Sequence, residues 1–367
     1  MSGSWLNDDV REVLVVGNGF DVAQGLPTRY MDFMDFLRIA DPVTMISRAK
    51  AGLKTEKNYN KFLLTIDSVD FDEIDRMKEL QENNAWVDYF LNCKAEIKGW
   101  IDLEREMIPV FDFFKWLFIQ DKKMAVIDEA DIAEIVTTEE WRARLALILP
   151  KFIRNVWLGS SKNTIVVHED YCEKQYGVFK EKILDTLKKD LDDFIKIFRI
   201  YLCEIACNVE RPHDTIIDRI KADQIISFNY LQSELSYDNL KDAETIHVHG
   251  DITSDNNMVL GVNEVEDDLK NDFLYFTKSF QRIKIKSNPN YREFWEGEFN
   301  VSFFGHSLDV TDVDIIKPLY EKAKHVKVYY YKPRDYEDKI INLIKMVGVT
   351  KIENDIYNGR LQLIPST

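Results

Sequence analysis

Short apolar runs without strict alternation lie near the two ends of the chain, and a long stretch of helical periodicity separates them. The runs fall at 13–16 (VLVV), 224–228, 245–249, 258–260, 301–304 and 326–331. Strands that read as unbroken apolar segments are those covered on both faces, so the pattern predicts a parallel sheet inside an α/β core. Between them, 59–207 alternates charged and apolar positions at helical spacing, with few Gly or Pro residues to interrupt it. The expected organisation is therefore a core built from 1–58 and 208–367 and a large all-helical insertion over 59–207. Trp86, Trp100, Trp116, Trp141 and Trp157 all fall in the insertion, where scattered aromatics read as core.

Composition narrows the classes. With 367 residues the chain can bury a substantial core. Its net charge of -16, from 64 acidic and 48 basic residues, argues against general nucleic-acid binding, which rests on neutralising phosphates with Lys and Arg. Cys93, Cys172, Cys203 and Cys207 form no CxxC pair, so no zinc ribbon or redox dithiol is expected. Nothing approaches the roughly 18 apolar residues of a membrane span, and no signal peptide opens the sequence. A cytoplasmic protein without a membrane partner is expected. The acidic run at 264–268 reads as a solvated loop.

The chemistry-bearing residues gather where predicted strands end. After 13–16 come Gly17-Asn18-Gly19-Phe20-Asp21, the arrangement in which a strand stops, backbone N–H groups open toward an anion and a helix begins. Val22 replaces the third glycine of the usual dinucleotide fingerprint. Asp21 caps the first helical turn or meets a ligand hydroxyl, and Thr28 reads as the cap of the following helix. Asn229 ends Ile225-Ile226-Ser227-Phe228-Asn229-Tyr230, either as a turn-forming amide or as a functional one, ahead of a helical stretch at 231–235. Ile246-His247-Val248-His249-Gly250 sets two histidines on one strand face, as packed core residues, as metal ligands or with an acid/base role for one of them, and follows them with a glycine for close approach. Finally Gly305-His306-Ser307 suggests a second loop for ribose or phosphate, before a capping box at Thr311 and Asp314.

In this order GNGFD, SFNY, HVHG and FFGHSLDVTD, with the GLPT continuation, FTKSFQRI and a local GWIDLE, resemble the abortive-infection AbiH family. That family is in turn similar to sirtuin-like Rossmann proteins of anti-phage defence, several of which hydrolyse NAD. The resemblance implies a sirtuin-like Rossmann core, with Gly17, Asn18, Gly19, Phe20, Asp21, Gly305 and Ser307 as the NAD-binding residues. It further implies Asn229 and His249 as the catalytic amide and histidine, cleavage of the nicotinamide–ribose bond, and no metal. Two departures stand out: the zinc-binding cysteines of sirtuin deacetylases are missing, and Leu231 stands where many sirtuin-like proteins carry Asp. Protein deacylation is thus disfavoured.

Competing readings are a non-catalytic nucleotide sensor acting through a protein partner, an interaction protein that uses the core as a scaffold, and a metal-dependent hydrolase using His247 and His249. An enzyme that drains a shared cofactor must be silent before infection. Gating is therefore expected, by homo-oligomerisation, by a phage-derived trigger or protein partner, or by the insertion covering the pocket.

Overall fold

The computed structural model describes residues 10–50, 69–92, 100–119, 125–126, 133–137, 149–158, 163–173, 177–209, 216–253, 255–263, 270–285 and 293–366. Cys93, Trp141 and the acidic run at 264–268 lie outside them, as do the side chains of Trp100 and Trp157. The chain forms two compact units. One comprises Met1–Thr28, Ala206–Val259 and Arg282–Thr367; the other comprises Arg29–Ile205 and Leu260–Gln281.

The first unit is built on a six-stranded parallel sheet. Its strands are β1 (Arg11–Val16), β2 (Gln224–Ser227), β3 (Glu244–His247), β4 (Phe299–Phe304), β5 (Val326–Tyr330) and β6 (Leu361–Pro365). They lie in the order β6-β5-β4-β1-β2-β3. In chain order that is the doubly wound 3-2-1-4-5-6 arrangement of dinucleotide-binding sheets, whose strand order reverses between β1 and β4. Successive residues of β1 explain its unbroken apolar run. Val13 and Val15 enter one core with Ile226, Phe303 and the helices α2 (Val313–Lys322), α3 (Pro333–Val347) and α4 (Val349–Tyr357). Leu14 and Val16 enter the other with Ile225, Tyr237, Leu240 and Phe304, together with Phe20 from α1 (Asn18–Ala23). Each face is apolar because each face is covered.

Two details of this sheet differ from the sequence pattern. Residues 258–260 form no strand; Met258 makes an isolated antiparallel bridge to Gly250. β6 went unread because it is only partly buried and ends in Pro365, a residue tolerated there because β6 is an edge strand.

The second unit is organised by the helix Lys180–Glu204, whose buried Leu187, Leu191, Phe194, Phe198 and Tyr201 recur at helical spacing. Phe33 packs against Phe198 and Tyr201 at ring-centroid distances of 4.9 and 5.3 Å. Trp86 and Phe111 pack against Phe276 at 6.0 and 5.1 Å. These aromatic contacts bring residues 29–50 and 270–281 into this unit, whereas the sequence pattern had placed them in the core. Nor is the insertion all-helical. Among the described residues it holds a four-stranded antiparallel sheet in the order Ala125–Val126, Ala133–Thr137, Asn163–Val167, Ile153–Leu158. The β-branched content of NTIVV favours that outcome over helix.

Candidate functional site

At the point where the strand order reverses, the loop after β1 and the loop after β4 pack backbone on backbone. Gly17 N–H donates to Phe304 O at 3.2 Å, Gly19 N–H to Gly305 O at 2.8 Å, and Phe20 N–H to Gly17 O at 2.8 Å. A Cβ on Gly19 would sit 2.7 Å from Gly305 Cα; one on Gly305, where φ is +67°, would sit 2.2 Å from Phe20 N. The glycines are therefore demanded by the interlock of the two loops. The expectation that these N–H groups open toward an anion is not met, because three of them serve acceptors inside the fold. Two polar atoms at this rim carry no hydrogen bond among the described residues. Asn18 Oδ1 is one, its amide nitrogen being tied to Thr28 O and Oγ1 at 2.9 Å each. The other is the hydroxyl proton of exposed Ser307, whose oxygen accepts Asp309 N–H at 3.3 Å. Thr28 thus anchors Asn18, and the helix Tyr30–Leu37 is capped at Arg29 instead.

Asn229, just past β2, is 4% exposed and held on every side. Its Nδ2 donates to Gly17 O at 3.0 Å and Asp21 Oδ1 at 3.2 Å, its N–H to Ser227 Oγ at 3.2 Å, and its carbonyl faces His247 Nδ1 at 2.9 Å. Both side-chain amide hydrogens are committed, so the polar atom left to present is Oδ1, an acceptor. Asp21, also buried, turns its carboxylate to Asn229 and to the Ser233 hydroxyl rather than capping α1 through its side chain. Ser233 belongs to a 3-10 turn, Ser233–Ser236, where the sequence pattern suggested a helix.

The two histidines of the HVHG stretch part company. β3 ends at His247, and the turn that follows carries His249 toward different partners. His247 Nδ1 meets a carbonyl, and its Nε2 lies 3.4 Å from Glu234 Oε1. Both ring nitrogens thus face acceptor atoms, an arrangement that suits the charged ring with hydrogen on each nitrogen. Burial opposes that charge, but the bond and charge of Glu234 and the Asn229 carbonyl outweigh it and raise the histidine's pKa. His249 Nε2 instead lies 3.4 Å from Asp312 Oδ1, with the Phe228 ring edge-on at 5.3 Å. Gly250, where φ is +73°, sits against the Asn257 backbone, so its lack of a side chain serves that contact and not substrate approach.

Asp312 is the residue that the sequence pattern missed. It occupies the cap position of α2 without a side-chain capping bond, and its second oxygen lies 3.8 Å from His306 Nε2. His306 Nδ1 accepts Leu308 N–H at 3.0 Å, so Nε2–H points to the carboxylate. The capping box is not formed: Thr311 Oγ1 pairs with Asp312, and Asp314 forms a 2.8 Å ion pair with Arg282. On α3, buried Lys339 donates to His306 O at 2.8 Å, and burial pushes its pKa down. Among the described residues no cluster of three or more His, Cys, Asp or Glu is arranged to hold a metal ion.

The stretches that build this arrangement lie within a match to the family model of bacteriophage abortive infection AbiH, which covers residues 13–331. The chain belongs to the AbiH family. The match runs from β1 through β5, so it takes in both interlocked loops, Asn229, and the His249–Asp312 pair of this AbiH protein. Comparison with curated proteins and with solved structures finds no match. Among the described residues no helix is long and apolar enough to cross a membrane.

Proposed function

We propose that this AbiH-family protein binds NAD at the carboxyl end of its parallel sheet and hydrolyses the nicotinamide–ribose bond, so that cofactor loss produces the abortive-infection outcome. The observation that carries the reading is the convergence, at the reversal point of a 3-2-1-4-5-6 sheet, of an amide presenting an acceptor and a histidine backed by a carboxylate.

Each group has a role that its surroundings support. Asn229 Oδ1 accepts a hydrogen bond from a ribose hydroxyl or from the attacking water. His249 Nε2 lies 3.4 Å from Asp312 Oδ1 without forming a hydrogen bond to it in this geometry. A small rotation of the ring would direct Nε2–H to the carboxylate and leave the Nδ1 lone pair to take a proton from the ribose hydroxyl while Asp312 stabilises the imidazolium. Nicotinamide leaves with the bonding electron pair, which relieves the positive charge of its ring. Water adds to the anomeric carbon and releases a proton, and the His249 imidazolium returns its proton to the ribose oxygen, giving nicotinamide, ADP-ribose and H⁺. The free acceptor of Asn18 and the hydroxyl of Ser307 lie at the rim, where ribose and phosphate groups would be recognised.

The test is nicotinamide release from NAD by the purified protein, with and without extract of infected cells, beside Asn229→Ala and His249→Ala. A positioned base contributes about a hundred- to ten-thousand-fold in rate, so either variant should abolish measurable release. Release that survives His249→Ala overturns the assignment; ADP-ribose binding with no release under either condition selects the sensor reading.

A further inference from the structure

The geometry points to Asp21 as a positioning residue that locks the Asn229 amide in one orientation, so that the site presents a hydrogen-bond acceptor and recognises a donor, a hydroxyl or a water. A primary amide can sit either way round, and the two ends are opposite in hydrogen-bonding character. Here Nδ2 meets two acceptors, Gly17 O at 3.0 Å and Asp21 Oδ1 at 3.2 Å. Turned over, Asn229 would set Oδ1 against that carbonyl and that carboxylate, with no proton between any of them. The carboxylate is itself secured, because fully buried Ser233 donates its hydroxyl to the same Oδ1. Asp21 is 2% exposed, so its hydrogen bonds to Asn229 and Ser233 are made where water does not compete for them.

The backbone of Asn229 is held independently, by Ser227 Oγ on N–H and by His247 on the carbonyl. Loss of Asp21 therefore frees the amide while leaving its attachment point in place. An Asp21 acting in this way touches Asn229 and not the ligand, which replaces its earlier reading as a direct nucleotide contact. Its consequence for turnover rests on the proposed NAD hydrolysis; the lock itself does not.

Two measurements separate those dependencies. In protein labelled with ¹⁵N-asparagine, the Asn229 side-chain amide pair is assigned by its disappearance in Asn229→Ala, and its exchange with solvent is followed. Asp21→Asn and Ser233→Ala should each accelerate that exchange, by at least about tenfold for Asp21→Asn. In parallel, Asp21→Asn should lower kcat for nicotinamide release by about ten- to a hundredfold, while ADP-ribose affinity stays within about twofold. Exchange unchanged in both variants overturns the lock, whether or not the protein consumes NAD. ADP-ribose affinity that falls as far as kcat overturns the positioning role and makes Asp21 a ligand contact. If Asp21→Asn fails to fold, Ser233→Ala decides by the same exchange measurement. Absence of release by the unaltered protein sinks the hydrolysis reading alone, and the amide exchange still tests the lock.

Discussion

Gly305→Ala tests the interlock of the two loops, and Gly359→Ala provides its control. Both glycines have positive φ, +67° and +71°, so a new side chain meets the same left-handed backbone penalty, about 1–2 kcal/mol. Their surroundings differ completely. Nothing lies within 4 Å of a Cβ on Gly359, whereas one on Gly305 would lie 2.2 Å from Phe20 N, 2.4 Å from Gly19 C and 2.8 Å from Gly19 Cα. Those neighbours are backbone and cannot swing aside. Relief requires parting the loops, which adds about 1–3 kcal/mol of overpacking and about 1 kcal/mol for the Gly19–Gly305 hydrogen bond. The reduced freedom of the unfolded chain returns about 0.4–1 kcal/mol to both variants. The net loss is then about 1 kcal/mol for Gly359→Ala and about 4 kcal/mol for Gly305→Ala. At about 2–4 °C per kcal/mol, thermal unfolding should show Tm lowered by about 2–4 °C in the control and about 8–16 °C in the test variant. A Gly305→Ala midpoint within about 3 °C of the control refutes the interlock.

Three further outcomes are expected. The raised pKa of His247 means that its contribution to stability is complete below the ordinary histidine value and fades as pH rises through the folded value; the stability gap between the unaltered protein and His247→Gln should thus shrink toward alkaline pH in urea titrations, and a growing gap contradicts the imidazolium. Asp312→Asn should lower kcat for nicotinamide release at least about tenfold with ADP-ribose affinity retained, since the imidazolium loses its counter-charge; unaltered kcat removes Asp312 from the proposed mechanism. In the second unit, Lys278→Met removes the ammonium 2.9 Å from buried Glu104 and should destabilise by about 3–5 kcal/mol, with Lys278→Met/Glu104→Leu milder than the single change by chemical denaturation.

How far the sequence discloses this molecule depends on how local the determining contacts are. β1, β2 and β4 are legible because burial on both faces writes an unbroken apolar run. β6 is not, because it lies at a sheet edge where it is only partly covered. Asn229 could be placed at the end of a strand, but its orientation depends on Asp21, 208 positions away. The FFGHSLDVTD stretch shows a cap-like spacing, and that local regularity hid Asp312, whose carboxylate serves histidines on other elements. Likewise strand alternation put His247 and His249 on one face, and the end of β3 at His247 separates them. The glycines were rightly conspicuous, yet the reason lies in a partner loop at the far end of the sequence.

That distance bears on when the site can come into being during synthesis. β1 is the central strand, flanked by β2 and β4, and its loop closes only against Gly305. At about 5–20 residues per second, a ribosome needs about 15–60 s after making β1 to deliver the loop that closes on Gly19. All residues of the second unit are made within that interval. A nascent or prematurely terminated chain that stops short of β4 holds Asn18, Asn229 and His249 without the interlock or Asp312.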